Sequence, residues 1–369
     1  MKRNDPHPDP FPSDRLPDPP QRGRGAAGKP DGRFEAWSRE GADDGWGTAA
    51  EPAPVTTTFM VDTSRSVISR NDSPDIPFDQ SVNPYRGCEH GCPYCYARPT
   101  HAYLGLSPGL DFETRIAYKP EAARQLRDEL ARPGYRCSPI TLGANTDPYQ
   151  PVERRLGITR EILEVLSETR HPVTVVTKSA LVERDADLLA DLARDGLAEV
   201  LLSVTTLDED LARWLEPRAG RPRRRLAAMR ALADAGVPTG VLFAPLIPGL
   251  NDHEMEAVLA AAREAGAQDA GWVLLRLPLE VEALFRDWLE RHEPGRAGRV
   301  FSLLRQMRGG RANDPRFGHR MRGEGPLAEI HRRRFELACA RLGLNRTRRS
   351  LDCSRFTPPA VSGRQLGLF

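Results

Sequence analysis

The sequence predicts an α/β protein: a partial (β/α)6 TIM-type barrel with a disordered N-terminal arm and a basic helical C-terminal extension. Three observations carry this expectation. Short β-branched runs recur through the middle of the chain, amphipathic helical stretches separate them, and composition and charge change at both ends of that region. The runs are apolar almost throughout. That suits strands buried on both faces, as in a parallel sheet whose crossover helices cover both sides.

Residues 1–75 are rich in Pro, Gly, Asp and Arg and hold no apolar period of 2 or 3.6, so the first 50 or so are expected to be disordered. VTTTFMVDTSRSVISR (55–70) reads as a strand-like lead-in. The barrel core is placed at 76–290. Its six strands are expected at SVNPYRG (81–87), PITLGAN (139–145), PVTVVTK (172–178), AEVLLSVTT (198–206), PTGVLFAPL (238–246) and GWVLLRLP (271–278). Between them run EAARQLRDEL, TREILEVLSET, RDADLLADLARDG, RRRLAAMRALADAG and DHEMEAVLAAAREAG, helical by period, with glycines where helices stop. The pattern changes near 280, too early for eight units. EVEALFRDWLERH, RAGRVFSLLRQM and PLAEIHRRRFELACARLGL then form the helical extension, assigned to 291–345, and 346–369 reads as a flexible basic tail ending in QLGLF.

The net charge of +2 over 369 residues hides an asymmetry. Residues 291–369 carry 18 Arg against 6 acids, so this end stands at +12 and the rest at −10. Such a basic segment is the footprint of a nucleic-acid partner. HRRRFELACARLGLNRTRR sets Arg beside Phe335, suiting backbone phosphates and some stacking. No run approaches the roughly 20 apolar residues of a membrane span, and the N-terminus lacks the apolar stretch of a signal peptide. A cytoplasmic protein without a membrane partner is expected.

Three of the six cysteines crowd into CEHGCPYC: Cys88, Cys92 and Cys95, spaced C-x3-C-x2-C, with Tyr94 before the last. Without an export signal, this reads as metal binding before disulfide. Three thiolates on one loop can hold three irons of a cubane cluster and leave the fourth open. Gly91 and Pro93 favour the turn such a loop needs. Structural zinc is the alternative, with His90 or His101 as a fourth ligand. The loop's place after the first strand, at the edge where barrel active sites gather, favours the cluster.

NPYRGCEHGCPYCYAR, followed by LGANTDPYQPVE, TKS and SVTT, resembles the radical S-adenosylmethionine (SAM) enzymes, in particular the spore photoproduct lyase-like branch of DNA-repair proteins. The resemblance covers about 80–335. It implies a [4Fe-4S] cluster on Cys88, Cys92 and Cys95, reductive cleavage of SAM, and a 5′-deoxyadenosyl radical that takes hydrogen from a substrate. It also implies an electron donor. Residues around the cofactors would be Tyr94, Gly143, Asn145, Thr146, Asp147, Lys178 and Ser203. Lys178 ends the third strand, where its cation suits the SAM carboxylate; strand-end polar groups also cap following helices. Tyr96 matches a tyrosine implicated in hydrogen transfer and is the catalytic candidate. One departure stands out: Ala144 occupies the place of the lyases' hydrogen-donating cysteine.

APLIPGLND (244–252) resembles the superfamily's adenine loop, or is a turn into a helix. The Arg run in EPRAGRPRRRL (216–226) is a solvated face or a phosphate contact. His253, His292, His319 and His331 are isolated, and Cys137, Cys339 and Cys353 have no assigned role. The terminal QLGLF resembles the peptide by which bacterial replication and repair proteins dock on the sliding clamp, with Gln365, Leu366, Leu368 and Phe369 as contacts. The expected function is radical SAM chemistry on nucleic acid, as in DNA repair. Its rivals are radical modification of RNA, protein or a small molecule, and a non-catalytic zinc-containing nucleic-acid-binding protein.

Overall fold

Each of the six apolar runs yields a strand. The computed structural model describes residue 21 and residues 23–34, 55–347 and 349–360. Its strands are β1 (Thr58–Val61), β2 (Ile68–Arg70), β3 (Gln80–Val82), β4 (Tyr85–Arg86), β5 (Arg115–Tyr118), β6 (Ile140–Leu142), β7 (Val173–Thr177), β8 (Ala198–Ser203), β9 (Thr239–Leu246) and β10 (Asp269–Leu274). The main sheet has the order β10-β9-β8-β7-β6-β3-β2. Its first six members run parallel, and β2 pairs antiparallel with β3. Among the described residues this sheet does not close on itself: β10 is one edge and β2 the other.

The apolar runs predict burial on both faces, but only one face of the sheet is fully buried; on the other, Thr174, Val176, Glu199, Leu201 and Leu242 are half-buried. Ile140, Leu142, Val173, Val175, Val200, Leu202, Val241 and Phe243 are all fully buried. Helices Ile158–Glu168, Ala186–Arg194, Pro222–Asp234 and Met255–Glu264 lie between successive strands and bury one apolar stripe each, such as Ile162, Leu163 and Leu166. The lead-in forms β1 and β2, and β1 joins a small second sheet in the order β1-β5-β4. No apolar run announced β5, whose four residues RIAY include an Arg.

Beyond β10 come helices Val281–His292, Pro294–Gln306 and Gly325–Leu342. The last lays Phe335 6.4 Å from the Trp272 ring. The segment between the second and third of these helices crosses the open side of the sheet. There Arg320 and Gly318 bond Asp75, in the loop between β2 and β3.

Two expectations need correction. Residues 23–34, assigned to a disordered arm, lie on the cysteine loop: Arg24 donates to Val55 O and Thr57 Oγ1, both at 2.9 Å, and Lys29 meets Asp111 at 2.9 Å. Small residues lack periodicity but can approach another backbone closely. The tail, assigned as flexible from 346, is also held as far as 360. The Phe356 ring sits 5.2 Å from His171 and 5.5 Å from Tyr135, and the Thr357 amide donates to Thr169 O at 2.9 Å. One aromatic in a polar stretch anchors it. Cys353 thereby arrives within hydrogen-bond reach of Cys137, at the N-terminal end of the strands. Residues 1–20, 22 and 35–54 of the arm and QLGLF (365–369) lie outside the described residues. Among those described, no helix is long and apolar enough to cross a membrane.

Candidate active site

Cys88, Cys92 and Cys95 occupy an irregular loop after β4, at the carboxyl edge of the main sheet. Nothing regular holds this backbone, so side chains do. Arg98 is fully buried and donates to Cys92 O at 2.8 Å, Gly91 O at 3.0 Å, Gly109 O at 2.8 Å and Pro108 O at 3.1 Å. Its charge is met by buried Glu113 at 2.5 Å. Glu113 also accepts the Gly25 and Ala26 amides at 3.0 and 2.8 Å. Glycine is required where these pieces meet: a Cβ on Gly25 would stand 1.7 Å from Gly91 O, and Gly91 itself has φ +71°.

The loop after β6 clamps the cysteine loop from the other side. Gly143, at φ +91°, lets the chain pass where a Cβ would stand 2.1 Å from Val176 O. The Asn145 amide donates to Asn83 Oδ1 at 3.0 Å, and the buried Thr146 hydroxyl donates to Tyr85 O at 2.7 Å. Asp147 Oδ1 accepts from the Tyr149 amide and the Thr177 hydroxyl; Oδ2 accepts from the Lys178 amide at 2.7 Å and faces His90 Nδ1 at 3.4 Å. Burial would raise its carboxyl, but His90 and these donors hold it below its ordinary value. Gln150 receives the Glu89 amide at 2.9 Å, and Glu89 in turn accepts the Val152 amide at 2.6 Å. Thr146 and Asp147 thus spend their polar atoms bracing the loop.

Glu216 is the hub of the third wall. It is buried and accepts from Tyr94 Oη, Arg225 Nη2 and, at 2.6 Å, Thr205 Oγ1. Lys178 Nζ stands 3.6 Å from the same carboxylate and donates to Ala244 O at 3.2 Å. Burial alone would raise the Glu216 carboxyl; Arg225, Lys178, Thr205 and Tyr94 bring it down to about 2. Arg225 also donates to the backbone oxygen of buried Ser203 at 2.9 Å. The Arg run at 216–226 is therefore only partly a solvated face. Arg223 and Arg224 are exposed, whereas Arg225 is fully buried and Arg218 reaches Glu89 at 3.1 Å.

The three thiols are raised above the ordinary cysteine value. Desolvation leads in each; Cys88 is raised further by Asp147 and by its two partner cysteines, and Cys92 reaches about 12 with Glu216 the next contributor. Deprotonating them needs a compensating cation, which a bound metal centre supplies. Among the described residues no group of three or more His, Cys, Asp or Glu side chains closes on a point that one metal ion could occupy. His90 is turned to Asp147, and His101 Nε2 is 3.0 Å from Arg115 O.

Tyr96 projects at the mouth, 44% exposed, with its hydroxyl donating to Ala144 O. The Arg276 guanidinium lies over its ring, 5.3 Å from the centroid. The isolated histidines stay apart: His292 stacks on Trp214, His319 pairs with Glu324 at 3.1 Å, and His331 lies 3.8 Å from Asp252.

A parallel, open α/β sheet with three cysteines on the loop after its first strand defines a metallocofactor enzyme of the partial-barrel class. The radical SAM superfamily model matches residues 82–262. The chain belongs to the radical SAM superfamily, whose cofactors are a [4Fe-4S] cluster and S-adenosylmethionine. An uncharacterized protein of Mycobacterium tuberculosis strain H37Rv is 37% identical over 233 residues, 63% of this chain and 68% of that protein. One of Methanocaldococcus jannaschii is 27% identical over 173 residues, 47% of this chain and 62% of that protein. A tyrosine-to-phenylalanine variant of spore photoproduct lyase superposes with a TM-score of 0.57, covering 78% of this chain and 80% of its own at 15% identity. That likeness shows the shared fold.

The sequence did not single out Arg98, Glu113, Glu216, Arg225 or Arg276. Their signal exists only in three dimensions, because their partners are up to 122 residues away, as between Tyr94 and Glu216.

Proposed function

We propose that the chain is a radical SAM enzyme acting on nucleic acid, with Cys88, Cys92 and Cys95 holding the cluster. The observation that carries the cysteine assignment is the loop itself: three desolvated thiols on a backbone gathered by Arg98, at the carboxyl edge of a parallel sheet. Held by these three thiolates, a [4Fe-4S] cluster would supply the one electron that cleaves SAM reductively to methionine and a 5′-deoxyadenosyl radical.

The chain's own groups would bind and orient. Lys178 Nζ, held by Glu216 and Ala244 O, offers a cation for the methionyl carboxylate. Gly143, Asn145, Thr146 and Asp147 shape the loop beside it, Ser203 closes the strand end, and Tyr94 ties the cysteine loop to Glu216. Tyr96 is the hydrogen-transfer candidate, placed directly on Ala144.

Support for nucleic acid comes from arginine–aromatic pairs on the surface. Arg33 lies 5.4 and 5.6 Å from the Phe34 and Tyr103 centroids, Arg320 4.6 Å from Phe317, and Arg276 over Tyr96, all four rings being exposed. Exposed rings beside cations stack bases and attract the backbone. The basic C-terminal region supports the same reading, and the cytoplasmic location we propose would put DNA and a reductant at hand. The QLGLF peptide would bring the enzyme to the sliding clamp; loss of clamp pull-down on deleting 365–369 is the expected result, and unchanged binding refutes it.

Anaerobic reconstitution and reduction test the chemistry. Wild type should form 5′-deoxyadenosine from SAM, and Cys92→Ala should not. Zinc in place of iron, or no product from an iron-loaded protein, would overturn the reading. Duplex DNA affinity that falls steeply with salt is expected for the substrate assignment.

A further inference from the structure

Beside Tyr96 the structure gathers more guanidiniums than it gives ion-pair partners among the described residues. Four guanidiniums, those of Arg276, Arg308, Arg316 and Arg320, gather where the segment after Gln306 crosses the open side of the sheet. Arg320 is paired with Asp75 at 2.5 Å. Arg316 takes Asp314 at 2.6 Å and Glu324 at 3.1 Å, and Glu324 also faces His319. These carboxylates are thereby committed.

Arg276 and Arg308 have no carboxylate partner among the described residues. Arg276, partly buried, stacks on the Tyr96 ring and reaches Met321 Sδ at 3.8 Å; Asp75, already bound by Arg320, acts on it without forming an ion pair. Arg308 is 1% exposed and spends one nitrogen, Nη2, on Leu275 O at 2.6 Å, Arg320 O at 3.2 Å and Leu274 O at 3.4 Å. Its Nε and Nη1 have no hydrogen-bond partner. These bonds fix Arg308 against the backbone that immediately precedes Arg276. Desolvation, with Arg276 the next contributor, depresses the Arg308 guanidinium to about 10, so the two cations feel each other. Asp75 and Asp314 offset these charges only without contact, so two neighbouring guanidiniums, one of them fully buried, carry incompletely matched charge and unfilled donors, a costly arrangement that an arriving anion relieves. A planar fork of donors matches the oxygens of a phosphate.

We propose that Arg276, backed by Arg308, is an anion-binding corner of the substrate site and that its ligand is a phosphodiester of a nucleic-acid strand whose base lies by Tyr96. The choice of phosphodiester rests on the nucleic-acid reading above; the anion site itself does not. The SAM carboxylate is the other anion at hand, and that reading already gives it Lys178.

The test uses the cluster-loaded protein, anaerobically, at constant ionic strength. Inorganic phosphate, relative to chloride, should raise the melting temperature of wild type. Arg276→Gln should lose that shift and Arg276→Lys should keep part of it. Because Arg276 is partly exposed, these variants avoid the folding risk of replacing Arg308. Saturating SAM should leave the phosphate effect in place. A labelled oligothymidylate should bind wild type about tenfold more tightly than Arg276→Gln, as loss of a charged hydrogen bond implies. The slope of log affinity against log salt should fall by about 0.7, one single-strand phosphate contact. No phosphate-specific shift, an equal shift in Arg276→Gln, or competition by SAM overturns the anion site as assigned. If wild type responds to phosphate but does not bind the oligonucleotide, the nucleic-acid reading fails and free phosphate is the ligand. If wild type binds it and Arg276→Gln binds it equally with the same slope, the phosphodiester assignment fails alone.

Discussion

Arg320 Nε lies 2.5 Å from Asp75 Oδ2 and so joins the two edges of an open sheet. Asp75 sits between β2 and β3, and Arg320 follows the helices after β10. The same carboxylate accepts the Gly318 amide at 2.7 Å, and this amide, together with Arg320, keeps it below the ordinary aspartate value.

Replacing that carboxylate should therefore loosen a local closure without unfolding the barrel. Asp75→Asn is expected to speed amide exchange across 314–323 while leaving β6 to β9 protected. Hydrogen exchange read by mass spectrometry checks this; uniform deprotection would show a global role instead.

Arg98 is a sharper case, since it holds four carbonyls and one buried carboxylate. Arg98→Ala should cost about 3–5 kcal/mol, as expected when one partner of a buried pair is removed. Iron retained per chain after reconstitution should drop well below wild type. Normal iron content in the variant would refute the bracing role.

Glu216 ties stability to pH. Its carboxyl stands at about 2 in the folded chain against an ordinary 4.5, so the folded state favours the ionised form. The stabilisation is complete above 4.5 and is lost as pH falls from there through about 2. Urea melts of cluster-free protein along that window should lose stability with acid, and Glu216→Gln should flatten this dependence. At pH 7 the variant should be weaker by about 3 kcal/mol, with Arg225 and Lys178 left unmatched.

For Tyr96, a split between two readouts is expected. Tyr96→Phe keeps the ring under Arg276 but loses the hydroxyl on Ala144 O. It should retain iron and uncoupled 5′-deoxyadenosine formation while substrate turnover falls at least about a hundredfold, the low end for a lost proton-transfer group. Equal losses in both would mean that the ring only packs.

Much of the frame could be read in the chain because buried parallel strands and amphipathic helices each impose a period. Ile140, Val175 and Leu202 stand where their runs place them, and the C-x3-C-x2-C spacing marks the loop proposed to hold the cluster. What escaped has no period. Tyr94 and Glu216 meet across 122 residues, Arg225 looks like its exposed neighbours Arg223 and Arg224, and Phe356 is one ring in a polar tail. Lys178 came from the family resemblance and from its place at the end of a buried strand; its carboxylate partner Glu216 came from neither. Thr146 and Asp147 were noticed as polar loop residues; the hydrogen bonds that commit them to the backbone leave no trace in sequence.

The contact of Gly25 and Ala26 with Glu113 bears on how the protein should be handled at the bench. Composition invites an experimenter to trim the Pro/Gly-rich start at residue 34 to obtain tidier crystals. That cut would remove both amides from Glu113, admit water to the Arg98 pair and uncover Gly91. A preparation shortened this way would emerge pale and short of iron, and its inactivity would be blamed on the cysteines rather than on the missing strip of backbone that shelters them.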